Sequence, residues 1–305
     1  MTTRGQHYVS RHYLQSWATD EQIYCLRAGS IFQTNVKNVA KERDFYKLKA
    51  LAAEDILFLK HLIGQASPAG QRNHWNLVSQ FDVPSRIEKY IRESRIDDPE
   101  VLKMANDLII EFEENYHQKI EDRFINYQRA LREGDASFFL NDSDAIEFIH
   151  ALCVQFMRTK AIRQKSSDAS SSAGLPSMER VWGIASHIFA TNIGAALYLS
   201  RRDMTLVVLE CQSDVALLTS DQPIINLISP HPDDNPNADI AFYYPLSPDK
   251  AALLTLKSHA PANVELDRAA TNHYNDLMIS KSYQQIFSNS EEQLKGIATN
   301  QKSPR

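Results

Sequence analysis

The sequence predicts an α+β fold in which a helical middle packs against an antiparallel sheet built mainly from the C-terminal third of the chain. Apolar residues recur at intervals of three and four through residues 50–200, a spacing typical of helices that bury one face. Residues 203–257 change character, since short apolar and β-branched runs alternate with polar turns, one of them proline-rich at 229–237. Strands joined by such turns, without helices between them, pair antiparallel.

A hairpin is predicted near the N-terminus, where two β-rich runs at 22–27 and 31–36 flank a turn that contains Gly29. We expect this hairpin to join or cap the C-terminal sheet. A closing helix is predicted at 267–287, and residues 291–305 are expected to form a frayed tail.

Composition limits the classes to which the protein can belong. The chain has 305 residues, of which 43% are hydrophobic and 23% charged, as in ordinary globular proteins. No internal repeat or linker interrupts residues 1–290, which we expect to form a single domain. The serine-rich stretch at 166–174 is expected to be a flexible loop.

Three further features of the sequence concern compartment and partners. No apolar run approaches the roughly 18 residues of a membrane-spanning helix, so no membrane partner is expected. The N-terminus lacks the apolar core of a secretory signal, and the three cysteines are far apart, which together favour the cytoplasm. The formal net charge of -5 argues against non-specific binding of nucleic acid, although it leaves room for a locally basic cleft.

The first candidates for chemistry lie at the N-terminus, where Arg11 stands between His7 and His12. His7 would act as a general base or a metal ligand, and Arg11 would bind an anionic substrate. The alternative is a structural role, in which His7 hydrogen-bonds at the start of a short helix.

The second candidates lie on a predicted central helix that is apolar on most sides. Gln155 and Arg158 are three residues apart and share a face of this helix. Such groups are costly to bury unless they are paired or face a cleft. Arg158, with Gln155 beside it, would therefore clamp a phosphate or carboxylate through its planar guanidinium. The alternative is a buried ion pair with an acidic residue.

The third candidates follow an apolar strand directly, in the segment Thr-Ser-Asp-Gln-Pro at 219–223. Asp221 would act as a base, hold a divalent metal or pair with Arg158, and Ser220 would contact the substrate. The alternative is a turn in which both side chains bond nearby backbone. Glu121 would be a second metal ligand, although it lies in a charge run typical of a solvated helix face.

The order of these segments resembles the family catalogued as domain of unknown function 4238. Members carry a His-Tyr-Val-Pro-Arg-x-Tyr-Leu segment, a Gln-x-x-Arg-Thr helix, a Thr-Ser-Asp-x-Pro turn and a Pro-Leu-Ser-Pro segment. The corresponding residues here are 7–14, with Ser10 in place of the proline, 155–159, 219–223 and 245–248. The resemblance implies no settled activity.

The resemblance does imply that the scattered polar residues of these motifs meet in one cleft. On this basis we expect a nuclease-like hydrolase or effector that acts on a phosphodiester, with nucleic acid or a nucleotide as partner. His7 would be the acid or base, Asp221 would orient it or hold a divalent metal, and Arg158 with Gln155 would bind the anion. Two alternatives stay open: a non-catalytic binding module for a nucleotide or other small anion, and a structural or interaction protein in which Arg158 and Asp221 form a buried ion pair.

Overall fold

The computed structural model describes residues 4–174, 177–228 and 240–302. Its fold is α+β, as the sequence predicts. The predicted proline-rich turn at 229–237 lies outside the described residues. No helix of the described ranges is long and apolar enough to cross a membrane.

The N-terminal segment forms a small strand pair, a helical turn and the predicted hairpin. These elements are β1 (Gly5–His7), α1 (Arg11–Leu14), β2 (Gln22–Arg27), β3 (Ser30–Asn35) and β4 (Lys41–Arg43). Strands β1 and β4 pair antiparallel, as do β2 and β3. Ala28 and Gly29 between β2 and β3 both have positive φ, 49° and 74°, as the two-residue turns that favour hairpins require.

Helices occupy most of the middle of the chain. They are α2 (Ala53–Gly64), α3 (Pro68–Phe81), α4 (Val83–Glu93), α5 (Pro99–Arg132), α6 (Asp142–Met157), α7 (Lys160–Ser172) and α8 (Trp182–Leu199). The Asp98 side chain caps α5 by accepting from the N–H groups of Glu100 and Val101, and Asn141 caps α6 in the same way. The serine-rich loop expected at 166–174 is instead helical as far as Ser172, because Ala161 and Ser170 bury one side of α7.

The C-terminal third supplies the larger sheet. Its elements are β5 (Met204–Cys211), β6 (Thr219–Ser220), β7 (Ile225–Asn226), β8 (Phe242–Pro245), β9 (Lys250–Leu256) and β10 (Glu265–Leu266). Five of them form a sheet in the order β10-β5-β9-β8-β7. The pairs in this sheet are antiparallel except β10 with β5, which are parallel.

The hairpin belongs to a second sheet of four strands. The last elements of the chain are α9 (Arg268–Lys281), β11 (Gln285–Ser288) and α10 (Glu291–Lys302). Strand β11 pairs with β2 and β6, which gives the order β3-β2-β11-β6. The hairpin therefore joins strands from the C-terminal part, as expected, but in a sheet separate from the larger one.

Two boundaries at the C-terminus differ from the sequence prediction. The closing helix ends at Lys281 rather than near residue 287, because the following residues form a turn and strand β11. Residues 291–302 form α10 rather than a frayed tail. The physical reason is burial, since Leu294 is fully buried against Leu26 and Ile286.

Candidate functional site

Arg158 fixes the N-terminal segment against the helices. It lies at the end of α6, and its guanidinium donates to the carbonyl oxygens of His7, at 2.7 Å, and Tyr8, at 3.3 Å. Its ionic partner is Glu121 of α5. Arg158 therefore forms an ion pair with an acidic residue, which was one of the alternatives, but the alternative that named Asp221 as its partner is wrong, because the packing of α5 against α6 presents Glu121 instead. Arg158 is 3% exposed, and the groups it binds belong to the chain itself.

A cleft of ≈ 260 Å³ opens beside this ion pair. The N-terminal segment contributes His7, Arg11 and His12 to its lining, and α5 contributes Glu114, His117 and Glu121. Arg11 and His12 are exposed, so the cleft is open to solvent at that end.

The lining of the cleft includes the imidazole of His7. Burial lowers the pKa of His7, the charges of Lys41 and Arg158 lower it further, and a hydrogen bond with the backbone of Lys37 acts in the opposite direction. The Nε2 atom of His7 is buried and has no hydrogen-bond partner among the described residues. Burial also raises the pKa of Glu114 in the same cleft to about 7. The cleft thus contains a neutral imidazole with a free ring nitrogen.

Asp221 does not line this cleft. One of its carboxylate oxygens accepts from the N–H of Tyr283 at 2.9 Å, and the other accepts from Gln284 and Gln285 at 2.8 and 3.1 Å. Burial raises the pKa of Asp221 to about 6, and these backbone bonds act to lower it. The carboxylate thereby holds the backbone that turns from α9 into β11.

The rest of the 219–223 segment is also occupied internally. Ser220 Oγ donates to the carbonyl of Gln222 at 3.0 Å, and Thr159 donates to the Gln222 side chain. Thr219 bonds with the hydroxyl of Tyr13 at 2.6 Å. Ser220 thus bonds nearby backbone, as in the turn that the sequence left open as an alternative, whereas the Asp221 carboxylate bonds the distant backbone of residues 283–285. The bonds of Thr159 and Tyr13 tie the start of α7 and α1 to this segment.

The predicted site residues therefore divide into two groups. His7, Arg11, Glu121 and Arg158 line the cleft, whereas Gln155, Ser220 and Asp221 do not. Arg11 forms an exposed ion pair with Glu21. Gln155 is buried on α6, and its Nε2 has no hydrogen-bond partner within the described ranges. The fold therefore brings only some of the predicted site residues together in the cleft.

Sequence reasoning missed a cluster of three buried side chains. Glu113 and His117 lie one turn apart on α5, and His187 lies on α8. One ligand atom from each lies within 4.8 Å of the others. Burial lowers the pKa values of both histidines to about 3 and raises that of Glu113. The Glu-x-x-x-His spacing was the available sequence signal, but it does not indicate which residue of another helix completes the cluster.

A larger cavity of ≈ 390 Å³ is less suited to catalysis. Its walls come from α2, α7 and α8 and are mostly apolar, with Phe58, Leu62 and Phe189 among them. His61 is the titratable residue in its lining. The smaller polar cleft therefore offers more chemistry.

Comparison with known proteins gives a family but no activity. The family model described as "Protein of unknown function (DUF4238)" matches residues 5–182 and 184–292. No curated protein matches the chain significantly, and neither does any solved structure. Since the family match covers nearly the whole length, the chain belongs to the family of unknown function DUF4238.

Proposed function

We propose that the protein is a nuclease-like hydrolase, or an effector with that activity, which acts on a phosphodiester bound in the cleft beside Arg158. The observation that carries the proposal is His7, which lines an open cleft and whose buried Nε2 atom has no hydrogen-bond partner in the described parts of the chain. A neutral imidazole so placed can take a proton from an attacking water.

The roles of the other residues follow from their contacts. Arg158 positions His7, since it holds the His7 carbonyl rather than a substrate. Arg11 and His12 at the mouth are the groups that can meet a phosphate. Glu121 and Asp122 add negative charge to the lining, and Glu114, whose pKa is about 7, adds to it as the pH rises, so a divalent cation bound by carboxylate oxygens would help a polyanion to enter. Of the two acids expected to hold such a cation, Glu121 lines the cleft and Asp221 does not.

Nuclease assays on the purified full-length chain test the proposal. Single-stranded and double-stranded DNA and RNA would be incubated with Mg²⁺ or Mn²⁺, for the wild type, His7→Gln and the surface control His273→Gln. Loss of a general base predicts a fall in kcat/KM of about 10²–10⁴-fold for His7→Gln. The His273→Gln control should match the wild type. A fully active His7→Gln protein that melts like the wild type would contradict the proposal.

The pH dependence of kcat/KM gives a second test. The pKa of His7 lies below its ordinary value of 6.5, because burial and the nearby charges of Lys41 and Arg158 outweigh the opposing contributions of the Lys37 backbone hydrogen bond and of Glu121. A base must be unprotonated, so activity should be lost as the pH falls through this lowered pKa. The acid limb of the profile should therefore lie below pH 6.5. A limb above that value would assign the base to another group.

The second candidate is a non-catalytic binding module for a nucleotide or another small anion. Arg11 and His12 at an open cleft mouth favour it, since both can bind an anion without any reaction. Such a module would raise its Tm with a nucleotide and leave nucleic acid intact. The three cysteines are free, which accords with the cytoplasm, the compartment expected for either function.

A further inference from the structure

Three polar side chains meet in the interior between α5 and α8. Glu113, His117 and His187 are 4%, 2% and 3% exposed. At this degree of burial, bulk water does not solvate them. Buried polar atoms are normally satisfied by hydrogen bonds, and exceptions call for an explanation.

The contacts in this cluster are longer than ordinary hydrogen bonds. The Nε2 atoms of His117 and His187 lie 3.4 and 3.6 Å from the Oε1 atom of Glu113. Both Nε2 atoms are without a hydrogen-bond partner among the described residues, and so is Nδ1 of His117. An unsatisfied buried group of this kind costs of order 1–3 kcal/mol. This free-energy cost applies to each of the two imidazoles that face the Glu113 carboxyl group.

The same distances suit a shared ion. Zinc binds imidazole nitrogen and carboxylate oxygen at about 2.0–2.2 Å, and two ligands at tetrahedral angles are then about 3.4 Å apart. Two imidazoles and one carboxylate form a donor set that borderline divalent metals favour. Calcium and magnesium prefer six or more oxygen ligands and fit the cluster poorly.

We propose that Glu113, His117 and His187 bind a divalent transition metal ion, with zinc as the first choice. The ion accepts the lone pairs of both Nε2 atoms and of Glu113, and three protein ligands leave a fourth position for water. His117 also lines the polar cleft, which gives the ion a path of entry. The metal-site proposal does not depend on the proposed hydrolase activity, because metal binding can be measured without any substrate.

The surroundings support the ligand positions. Gly183 at the start of α8 leaves room for the carboxylate, since a Cβ at that position would lie 2.5 Å from Glu113 Oε2. The Tyr46 ring packs on His117 with centroids 4.6 Å apart, and Phe81 and Tyr116 pack on His187, both at 4.9 Å. Aromatic walls restrict the orientation of both imidazoles and keep bulk water away, as the outer shell of a metal site does.

The first experiment measures metal content directly. The untagged full-length protein is produced with zinc, iron, manganese, cobalt and nickel present together, purified without chelator, and analysed by inductively coupled plasma mass spectrometry. We expect close to one equivalent of metal per chain, with zinc dominant. One equivalent of another first-row transition metal would still support the site, with that metal in place of zinc. A protein that contains no metal, and that binds none when titrated with Zn²⁺ or Co²⁺, would overturn the proposal.

Variants then assign the ligands. His117→Gln, His187→Gln and Glu113→Gln should each weaken zinc binding by more than the roughly 10–100-fold that loss of an outer-shell partner costs. The matched control is His74→Gln, because His74 is also a buried helical histidine but bonds Asn192 at 2.8 Å. It should keep full metal content. Unchanged zinc binding in His117→Gln would refute the assignment.

A measurement on the wild type covers the case in which the variants fail to fold. X-ray absorption spectroscopy of the zinc-loaded protein should show nitrogen and oxygen ligands, with the outer scattering of two imidazoles. Sulfur ligands, or scattering from no imidazole, would place the metal elsewhere and refute the proposal. If the metal site is filled but the protein has no nuclease activity, the result counts against the hydrolase proposal and not against the metal site.

Discussion

Two buried carboxylates in this protein, Asp221 and Glu113, have opposite surroundings. Asp221 accepts hydrogen bonds from three backbone N–H groups, all supplied by the turn that leads into β11. Glu113 faces two imidazole nitrogens at 3.4 and 3.6 Å that have no hydrogen-bond partner in the described ranges. The first carboxylate is satisfied by the fold, whereas the second lies in a cluster that an added ion would complete.

This difference shows that a motif position is not always a reactive one. Asp221 lies in one of the segments that carry the family resemblance, and so does Arg158, which bonds the backbone of His7 and Tyr8. Both residues join distant parts of the chain. Glu113 and His187 lie outside those segments. The described structure therefore separates residues that hold the fold from residues whose polar atoms stay open to a ligand.

Removing Arg158 should have the largest effect on stability. Arg158→Ala leaves Glu121 without its ionic partner and removes the Arg158 donor from the Tyr8 and His7 carbonyls, of which the His7 carbonyl keeps the Tyr46 hydroxyl as a donor. The loss of one partner of a buried pair costs about 3–5 kcal/mol. The exposed ion pair of Arg11 with Glu21 provides a control, because Arg11→Ala should cost about 1 kcal/mol or less. Urea denaturation measures both. Equal effects of the two variants would contradict the structural role of Arg158.

Asp221→Asn should come next. An asparagine keeps one oxygen that can accept hydrogen bonds. Its NH₂ group replaces the other oxygen and would face a backbone N–H group, so that two donors would meet. Charge-assisted bonds contribute about 1.5–3 kcal/mol each, and the burial that raises the pKa of Asp221 offsets part of their sum, so the expected loss in the free energy of unfolding is about 3 kcal/mol. Metal content should stay unchanged. Measurement at pH 7 keeps the carboxyl of the wild type ionised, since its pKa is about 6. A loss of bound metal in this variant would link the two regions.

Gly183→Ala should have an intermediate effect on stability together with a loss of metal. The added Cβ would lie 2.5 Å from Glu113 Oε2 and 2.7 Å from Leu48 Cδ2, and overpacking of this kind costs about 1–3 kcal/mol. Gly194→Ala on the same helix is the control, because its Cβ would meet its nearest atoms at 3.8 Å. That change should stabilise the helix by up to about 1 kcal/mol. Zinc titration and thermal melting distinguish the two variants.

Glu113→Gln should have the smallest effect when metal is absent. The change replaces a buried carboxyl group, whose pKa burial raises, by an amide of the same shape that can donate to an imidazole, so the metal-free stability should change by about 1 kcal/mol or less. When Zn²⁺ is added, the Tm of the wild type should rise and the Tm of Glu113→Gln should stay the same. Melting curves with chelator and with zinc test this. An equal rise in both proteins would place the stabilising ion outside the cluster.

The sequence by itself determined the local elements and the family. The hairpin is visible because its strands flank Ala28-Gly29, and the start of α5 is visible because Asp98 and Pro99 are typical of a helix N-terminus. Such signals depend on neighbours along the chain. The serine-rich part of α7 was missed because its helicity depends on burial against other elements, which overrides weak local preference.

Only the tertiary structure decided which polar side chains meet. Arg158 pairs with Glu121 rather than Asp221, and His187 joins Glu113 and His117, because α5 packs beside α6 and α8. Helix periodicity shows which residues share one face, but the partner on another helix depends on how the whole core is filled. The contents of the cleft and of the buried cluster therefore follow from packing, which local sequence patterns do not encode.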